Sequence, residues 1–437
     1  MTGWRNWAGD QACSPGSLEQ PADVDAVAAA VTRAAARGRG VRVAGAGHSF
    51  TDAVLTDGTL LSLERMRRVL DVDTAGGLVR VQAGITLREL NGALSELGLA
   101  LENLGDIDVQ SVAGACATGT HGTGGRLRNL SAAIESLELV TADGSTVELN
   151  EAGDADGWRA ARVSVGALGV VTAVTLRVVP AFTLEGVDSS LALEEALEGL
   201  DEHVDGNDHF EFFTFPHSDL ALTRTNNRVD EPARPRSRGR EWFDDVLVRN
   251  HVFGAGCRMG RRWPRLVPHI NRAISRASHA SRRVDHSYAI FASPRRVRFT
   301  EMEYAVPRTR AAEAVRAVRV VSDEGGFDVS FPIEVRFVAA DDALLSPAAG
   351  RDSCYIAVHS YEGVEWEPYF RAVEKVIGGF EGRPHWGKRH FQTAGTLSSR
   401  YPEWERFAAV RARLDPDGRF ANRYVSRVLG SAEAVAA

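Results

Sequence analysis

The chain has 437 residues, of which 44% are hydrophobic and 25% are charged; this is long enough for two or three domains and ordinary for a folded protein. Acidic residues outnumber basic ones, 58 against 51, and the net charge of −7 gives no reason to expect nucleic acid as a partner. Four cysteines lie far apart without a C-x-x-C pair, at Cys13, Cys116, Cys257 and Cys354. This spacing argues against a zinc knot or a disulfide-stapled module and predicts buried free thiols.

The N-terminal residues MTGWRNWAGDQACS lack the charged start and apolar stretch of a signal peptide. The sequence also contains no apolar run of about 18 residues, the length that a membrane span requires. We therefore expect a cytoplasmic protein, with association at a membrane surface left open.

Helices and strands interleave through residue 180. An alanine-rich helix is predicted between Pro21 and Gly38, and the strand VRVAGAG leads from it into a glycine bend. Thr86 and Glu89 form a capping box that opens a second helix. Further predicted strands cover residues 60–63, 69–73 and 78–84, and a hairpin turns at Asp143-Gly144. The fold class is therefore α+β.

After Pro180 the composition changes. Residues 189–206 are acidic and favour helix, and residues 231–283 contain 13 arginines and far fewer carboxylates. We interpret the arginine-rich segment as a solvated, partly irregular surface, with a site for an acidic partner or a lipid headgroup as the alternative. Beyond it, the strands RFTEMEYAV, FPIEVRFVA and SCYIAVHSY alternate with helices, which is typical of an antiparallel sheet covered by helices.

Glycine-rich segments indicate a cofactor. Gly45 and Gly47 end a strand as in phosphate-binding loops, but Phe50 stands where a dinucleotide fingerprint needs its third glycine. The segment GTHGTGG lacks the Lys-Ser/Thr pair of a nucleotide P-loop. With a third small-residue run, SVGALGVVTAV, three loops predict backbone approaching one long cofactor.

Seven segments, in order along nearly the whole chain, resemble the aldonolactone oxidoreductases of the vanillyl-alcohol-oxidase flavoprotein superfamily. They are AGAGHSFTD, SVAGACATGTHGTG, SVGALGVVT, IEVRFVAADD, GRDSCYIAVHSY, RPHWGK and LDPDGRFANRY. The resemblance is closest to bacterial L-gulono- or D-arabinono-1,4-lactone oxidases and dehydrogenases. It implies a two-lobed FAD-binding domain of the p-cresol methylhydroxylase type at residues 1–182, a substrate-binding cap domain with an antiparallel sheet at 183–395, and a C-terminal segment at 396–437 that returns to the FAD domain.

The same resemblance implies which residues hold FAD. His48 takes the place of a histidine whose ring nitrogen is bonded to the flavin 8α-methyl group; a histidine that only forms hydrogen bonds in a turn is the alternative. Gly105 takes the place of a small residue that governs the access of O2, which allows an oxidase without excluding a dehydrogenase. The remaining predicted FAD contacts are Ala44, Gly45, Ala46, Gly47, Ser49, Asp106, Ser111, Gly114, Thr118, His121, Gly122, Gly169, Val170 and Asn422.

Four residues are candidates for catalysis. Glu334 and Arg336 are two apart on a predicted strand and so point to the same face; the resemblance aims that face at the flavin, where Glu334 would hold substrate hydroxyls and Arg336 would offset negative charge. Lys388 is one of only two lysines among 51 basic residues, which suggests a need for a compact cation whose pKa falls on burial. It would accept the proton of the substrate hydroxyl or orient that hydroxyl. His359 is either a substrate ligand or a core histidine.

The predicted activity is FAD-dependent oxidation of an aldono-1,4-lactone at C2, with hydride transfer to flavin N5 and ascorbate or an analogue as product. The electron acceptor is O2, an electron-acceptor protein or a quinone. The alternatives are an alditol oxidase acting on an open-chain polyol and a non-catalytic flavin-binding scaffold or sensor. No metal is predicted, because His385 and His390 flank Lys388 without converging cysteines or carboxylates.

Overall fold

The computed structural model describes residues 3–236, 251, 253–277, 280–293 and 295–431. Helices and mostly antiparallel strands interleave along these residues, and the α+β prediction is confirmed. The strands are β1 (Trp4–Arg5), β2 (Ala12–Cys13), β3 (Ser17–Glu19), β4 (Val41–Ala44), β5 (Thr59–Ser62), β6 (Val69–Asp73), β7 (Leu78–Gln82), β8 (Leu99–Ala100), β9 (Ile134–Val140), β10 (Thr146–Asn150), β11 (Val170–Arg177), β12 (Val179–Pro180), β13 (Thr183–Ala192), β14 (His209–Thr214), β15 (Leu220–Val229), β16 (Ser281–His286), β17 (Phe299–Pro307), β18 (Ile333–Val338), β19 (Ser353–Tyr361) and β20 (Arg383–Pro384).

The helices cover the sheets and connect them. They are α1 (Val24–Ala36), α2 (Leu87–Glu96), α3 (Val112–Ala117), α4 (Ala155–Arg162), α5 (Leu193–Glu198), α6 (Leu200–Asp205), α7 (Phe253–Arg262), α8 (Val267–Ala277), α9 (Ser287–Phe291), α10 (Ala311–Glu324), α11 (Glu367–Gly378), α12 (Ala394–Leu397), α13 (Trp404–Leu414) and α14 (Arg423–Leu429). In the part of the chain that the structure describes, no helix combines the length and the apolar character needed to cross a bilayer.

The N-terminal half contains two larger sheets and the two-stranded sheets β1-β2 and β12-β8. A parallel sheet has the order β3-β5-β4, and a five-stranded antiparallel sheet has the order β10-β9-β11-β7-β6. The predicted capping box at Thr86 and Glu89 is confirmed at the start of α2, and the predicted hairpin turn joins β9 to β10 with Gly144 at a φ of 85°. Glycine is suited to this left-handed conformation because it has no Cβ.

The buried guanidinium of Arg42 joins distant segments of this half. It donates hydrogen bonds to the carbonyl oxygens of Ala53, Val165, Gly166 and Phe420. Helices α13 and α14 pack into the same hydrophobic core as β7, β9 and β11. The C-terminal residues are therefore tied to the N-terminal half both by hydrogen bonds and by apolar packing.

An eight-stranded sheet forms the second half, in the order β16-β13-β15-β14-β18-β19-β17-β20. One face of its central strands is apolar and packs against α5, α6, α10 and α11. Because successive side chains point to opposite faces of a strand, the residues between these apolar ones share the other face. Many residues of that face are charged or polar, among them Glu211, Glu301, Glu303, Glu334, Arg336 and His359.

Two local predictions are corrected by the structure. Residues 189–192 continue strand β13 instead of starting a helix, because they pair with β15. The arginine-rich segment is helical at α7 and α8; its residues 237–250, 252 and 278–279 lie outside the described part. Near the C-terminus, Asn422 caps helix α14 by accepting from the Val425 amide.

Candidate functional site

A cavity of about 1030 Å³ lies between the glycine-rich loops and the polar face of the eight-stranded sheet. Single drug-sized ligands occupy pockets of about 300–1,000 Å³, so this cavity has room for a cofactor together with a small substrate. Of the predicted site residues, ten line it: His48, Ser49, Gly105, Asp106, Thr118, His121, Glu334, Arg336, His359 and Lys388.

The first glycine loop follows β4 and is fixed from two sides. The Trp7 amide donates to the Gly47 carbonyl oxygen at 2.8 Å, and the Phe50 amide donates to the Gly387 carbonyl oxygen at 2.8 Å. Gly47 has a φ of 73°, a conformation that favours glycine. The loop is thereby joined to the segment that carries Lys388.

His48 projects from this loop into the cavity. Its ring stacks on Trp7 at a centroid distance of 5.2 Å, and neither ring nitrogen bonds to another described residue. Burial, assisted by the nearby Lys388, lowers the pKa of His48 to about 4. At neutral pH the ring is therefore uncharged and has a free lone pair.

The second glycine-rich segment contacts the first through Ser111. A Cβ on Gly45 would overlap Ser111 Oγ, and one on Gly114 would come within 2.9 Å of the same atom. Near this contact the Oε1 atom of Gln110, a residue that lines the cavity, is buried without a hydrogen-bond partner in the structure. The two loops thus form a tight cradle with an unused acceptor, which suits a ligand that bears hydrogen-bond donors.

Strand register brings alternating charges into a row across four neighbouring strands. Asp188 is opposite Arg224, Arg224 is opposite Glu211, and Glu211 is opposite Arg336. The corresponding nitrogen–oxygen distances are 2.6, 3.7 and 2.8 Å. Because buried charges are costly unless they are paired, this row fixes the Arg336 guanidinium in place. The predicted shared face of Glu334 and Arg336 is confirmed, and both side chains are buried.

Glu334 has fewer cationic partners than its neighbours. Arg336 contacts Glu334 at 2.5 Å, but it also contacts Glu211 at 2.8 Å and Asp106 at 3.6 Å. Asp106 has Arg295 as a second partner and Glu211 has Arg224, whereas no second arginine or lysine pairs with Glu334 among the described residues. Burial, against the effect of Arg336 and together with Asp106 and Glu211, raises the pKa of Glu334 to about 8.

Lys388 pairs with Glu301, a residue that the sequence reasoning missed. Burial acts to lower the pKa of Lys388, but Glu301, Glu303 and Asp106 outweigh it and the net direction is upward. The expectation that the pKa of Lys388 falls on burial is therefore wrong, because it considered the lysine without its carboxylates. Lys388 is an ammonium group at neutral pH.

His359 faces the same carboxylates and is neutral. Its Nδ1 atom donates to the Pro332 carbonyl oxygen at 3.2 Å, so its Nε2 atom has a lone pair that faces Glu301 at 3.6 Å and Glu334 at 4.0 Å. Burial lowers the pKa of His359. These distances exceed a hydrogen bond, and the atoms converge on a space of the cavity that a hydroxyl group can fill.

His121 and His385 meet at Glu303, with ligand atoms within 4.8 Å of one another. Hydrogen bonds account for this cluster. His121 Nδ1 bonds to the Gly122 carbonyl oxygen, His385 Nδ1 accepts from the Gly387 amide, and His121 Nε2 lies 3.2 Å from Glu303. Although burial acts to raise it, His121 and Lys388 hold the pKa of Glu303 well below its usual range.

The other predicted cofactor residues do not line this cavity. Asn422 donates to the carbonyl oxygens of Asp52, Ala53 and Leu55, and Val170 pairs with Val140 inside the five-stranded sheet. A Cβ on Gly122 would overlap Asn103 and Leu104, so close packing explains why residue 122 is a glycine. The rest of this group are also absent from the lining. Ala44 ends β4 and Gly114 lies in α3, whereas the others lie outside the helices and strands: Gly45, Ala46, Gly47, Ser111 and Gly169.

Many lining residues were not predicted from the sequence, among them Gln110, Arg295, Glu301, Glu303 and Phe299. A signal for two of them was present, since Glu301 and Glu303 are two apart on the predicted strand RFTEMEYAV, the same spacing as Glu334 and Arg336. Two carboxylates on one face of a strand whose other face is apolar predict a polar face in the fold. No comparable local pattern marks Gln110 or Arg295.

Comparison with known proteins agrees with this geometry. Residues 15–150 match the model of an FAD binding domain, and residues 174–428 match that of D-arabinono-1,4-lactone oxidase. The chain is 51% identical over 427 residues to L-gulono-1,4-lactone dehydrogenase of Mycobacterium tuberculosis, covering 98% of this chain and 99% of that protein. It is 35% identical to L-gulonolactone oxidase of Mus musculus, covering 97% and 98%.

A solved structure shares the fold at low identity. A cholesterol oxidase from Brevibacterium sterolicum superimposes with a TM-score of 0.83 at 16% identity, covering 98% of this chain and 96% of that one. The match to the FAD binding domain confirms the predicted cofactor, FAD. The family model covers more than half of the chain, and the chain belongs to the D-arabinono-1,4-lactone oxidase family.

Proposed function

We propose that this protein oxidises an aldono-1,4-lactone at C2, with L-gulono- or D-arabinono-1,4-lactone as the substrate class and FAD as the cofactor. The observation that carries the proposal is the group of Glu301, Glu334, His359 and Lys388, which lines a cavity large enough for FAD and a sugar lactone. Polar groups of both signs around a hydroxyl-sized space suit a polyhydroxylated substrate.

The cavity fits FAD at the cradle made by the two glycine-rich loops. There the two loops approach closely because Gly45 and Gly114 lack the Cβ atoms that would crowd Ser111 Oγ, and Gln110 Oε1 is an unused acceptor among the described residues. FAD supplies the two-electron oxidant when it is bound. Ser49, Asp106, Thr118 and His121 line the cavity beside this cradle and are the side chains we assign to cofactor contact.

Lys388 orients the substrate and stabilises its developing charge. As an ammonium group held by Glu301, it donates to the C2 hydroxyl and stabilises the oxygen as that hydroxyl loses its proton. Glu334 is the acceptor of the proton, because its raised pKa of about 8 makes its ionised form a better base than an ordinary carboxylate. His359 Nε2 accepts a hydrogen bond from a neighbouring substrate hydroxyl.

Arg336 holds Glu334 in position while the other carboxylates hold Arg336. Its fixed charge also offsets negative charge that develops beside it. Its effect is limited by the three carboxylates that already share it. We therefore assign to Arg336 mainly the orientation of Glu334, with charge compensation as a second contribution.

His48 is the proposed attachment point for covalent FAD. The support is its place in the cavity, its neutral ring, and two ring nitrogens that bond to no other described residue. A neutral imidazole nitrogen can act as a nucleophile, whereas an imidazolium cannot.

The electron acceptor and the division into domains are parts of the same proposal. Gly105 lines the cavity, and we assign to it the access of O2; a protein or quinone acceptor is the alternative. We propose an FAD-binding unit at residues 1–182 and a cap at 183–395, although Leu344 and Trp386 pack into the first core. We also propose that the enzyme acts in the cytoplasm.

The first experiment is anaerobic. The purified yellow protein is mixed with L-gulono-1,4-lactone or with xylitol, the visible flavin band is followed, and air is then admitted. Bleaching by the lactone alone supports the proposal; recovery in air identifies an oxidase, and failure to recover identifies a dehydrogenase. Bleaching by xylitol alone would replace it with alditol oxidation, and bleaching by neither would favour a non-catalytic flavin scaffold.

The matched control for this experiment is Lys375→Met. Lys375 is the only other lysine and is exposed on α11, so its loss should leave bleaching unchanged. Lys388→Met should slow bleaching by about 10²-fold or more, since it removes the cation that the proposal places on the reacting oxygen.

A further inference from the structure

Helices α7 and α8 form a hairpin through the 3₁₀ turn Pro264–Leu266. Between residues 253 and 277 the sequence contains no aspartate or glutamate, in a chain of net charge −7. It contains six arginines, and all six are exposed: Arg258, Arg261, Arg262, Arg265, Arg272 and Arg276. The hairpin is therefore a strongly basic patch on an acidic protein.

Large apolar side chains are exposed among these arginines. Met259, Trp263 and Leu266 have exposed fractions of 40%, 53% and 39%. They are three of the seven large hydrophobic residues classed as exposed in the described part of the chain, although they fall within eight consecutive positions. Such clustering marks an interaction surface, whereas single exposed apolar residues need no explanation.

The exposed arginines are not used to stabilise the fold by ion pairs. None of the six has a carboxylate partner among the described residues. Arg261 donates to the Glu362 carbonyl oxygen and Arg272 to the His217 carbonyl oxygen, and the Arg262 guanidinium lies 5.6 Å from the centre of the Trp263 ring. Their charges are available to an external anionic partner.

The opposite side of the hairpin is anchored to the protein. Asn271 donates to the carbonyl oxygens of Pro216 and Val329, and Cys257 and Val267 are buried. Phe253 packs edge-on against Phe331 at 4.9 Å. The hairpin is thus held by residues other than the exposed ones, and Phe253, Ile274 and Ala277 contribute to the wall of the active-site cavity.

We propose that the outer side of this hairpin docks on the surface of an anionic lipid bilayer. The docking surface consists of Arg258, Met259, Arg261, Arg262, Trp263, Arg265 and Leu266. Arginines attract anionic headgroups, and a tryptophan with flanking apolar side chains enters the boundary between headgroups and acyl chains. The carboxylates of an acidic protein would pair only with the arginines, whereas a bilayer offers anionic headgroups to the arginines and acyl chains to the exposed apolar side chains.

Docking in this orientation brings one wall of the active-site cavity to the membrane surface. The proposal goes beyond the proposed function and does not depend on it, because binding to lipid is measured without turnover. A protein that fails to oxidise lactones can still bind vesicles, and the reverse also holds.

The test is sedimentation of the flavin-loaded protein with vesicles of phosphatidylcholine containing phosphatidylglycerol, compared with phosphatidylcholine alone. We expect binding to the anionic vesicles only, weakened by added salt. Arg262→Gln with Arg265→Gln should lower the partition coefficient about 25-fold, since each basic residue near an anionic surface contributes about a factor of five. Trp263→Ser should lower it about tenfold, and Trp263→Phe should largely restore it.

The matched controls are exposed residues elsewhere. Arg37→Gln with Arg128→Gln removes two exposed charges without a carboxylate partner in the described residues, and Val320→Ser removes a side chain that is 53% exposed. Both should keep the wild-type partition coefficient. Equal binding to neutral and anionic vesicles, no binding to either, or an equal loss in the control variants would overturn the proposal. Stronger quenching of wild-type than of Trp263→Phe fluorescence by brominated lipid would support it.

Discussion

The raised pKa of Glu334 predicts a pH dependence that a single substitution can remove. If ionised Glu334 accepts the hydroxyl proton, kcat/KM should rise with pH as the carboxyl loses its own proton at a pKa of about 8. The ionised fraction grows about fifty-fold between about pH 6 and 8 for such a group. Glu334→Gln keeps an oxygen that can accept from Arg336 but cannot take a proton. Its profile should be flat over this range, and its kcat/KM at about pH 8 should be lower by about 10²–10⁴-fold.

The variant Glu211→Gln tests whether the rise of kcat/KM with pH, the rising limb of the profile, is due to the ionisation of Glu334. Glu211 raises the pKa of Glu334 by its charge and also shares the Arg336 guanidinium, at 2.8 Å. Removing that charge lowers the pKa of Glu334 for both reasons, so the rising limb should move to lower pH by about one pH unit.

The assay is steady-state lactone oxidation across a pH series, with an artificial electron acceptor present so that the acceptor step is not limiting. Glu138→Gln is the control, because Glu138 pairs with Arg80 in the five-stranded sheet and its loss should leave the midpoint at about 8. The assignment of Glu334 as the base would be refuted if kcat/KM of Glu334→Gln still rose with pH as in the wild type. It would also be refuted if Glu211→Gln left the midpoint of that rise unchanged.

Three further predictions follow from single residues. His48→Ala should lose the yellow colour of the acid-precipitated pellet that the wild type retains, and a colourless wild-type pellet would show that FAD is not bonded to His48. Lys388→Arg keeps the charge beside Glu301 but not the compact shape, so kcat/KM should fall by about tenfold or more while flavin content, measured by absorbance, is unchanged. Asn422→Ala should lower the free energy of unfolding by about 1–3 kcal/mol, measured by thermal denaturation. Asn422→Asp keeps the acceptor for the Val425 amide and should recover part of that loss; equal destabilisation by both would contradict the role of the cap.

Most of the fold was predictable because it rests on local patterns. The capping box at Thr86 and Glu89, the hairpin turn at Asp143-Gly144 and the strands β17, β18 and β19 of the eight-stranded sheet each carry a short-range signal, and each was found. The extension of β13 into residues 189–192 was missed because pairing with β15 overrides the helix preference of that stretch. The helices of the arginine-rich segment were missed because the segment was interpreted from its charge alone.

The candidate site was predictable only where one strand or one loop carries it. Glu334 and Arg336 are two apart on β18, and His48 and Lys388 stand out in their loops. The partners that set their charge states come from other strands: Glu211 from β14, Glu301 from β17 and Arg295 from the chain before β17. Strand order and register decide these contacts, and neither can be derived from a local pattern. For this reason the direction of the pKa shift of Lys388 could not be obtained from its burial alone.

The arrangement of charges also explains why the site needs this many buried ionisable groups. A lone carboxylate near the reacting oxygen would have an ordinary pKa and would be a weak base, whereas a buried one without a cation would be permanently protonated. The pKa of Glu334 lies between these limits, because the guanidinium of its partner Arg336 also contacts Glu211 and Asp106. Glu211 and Asp106 each pair with a second arginine as well, and both share the Arg336 guanidinium with Glu334. The row Asp188–Arg224–Glu211–Arg336 therefore does more than stabilise the sheet, since its Glu211 and Arg336 also act on the pKa of Glu334, which has no second arginine or lysine partner among the described residues.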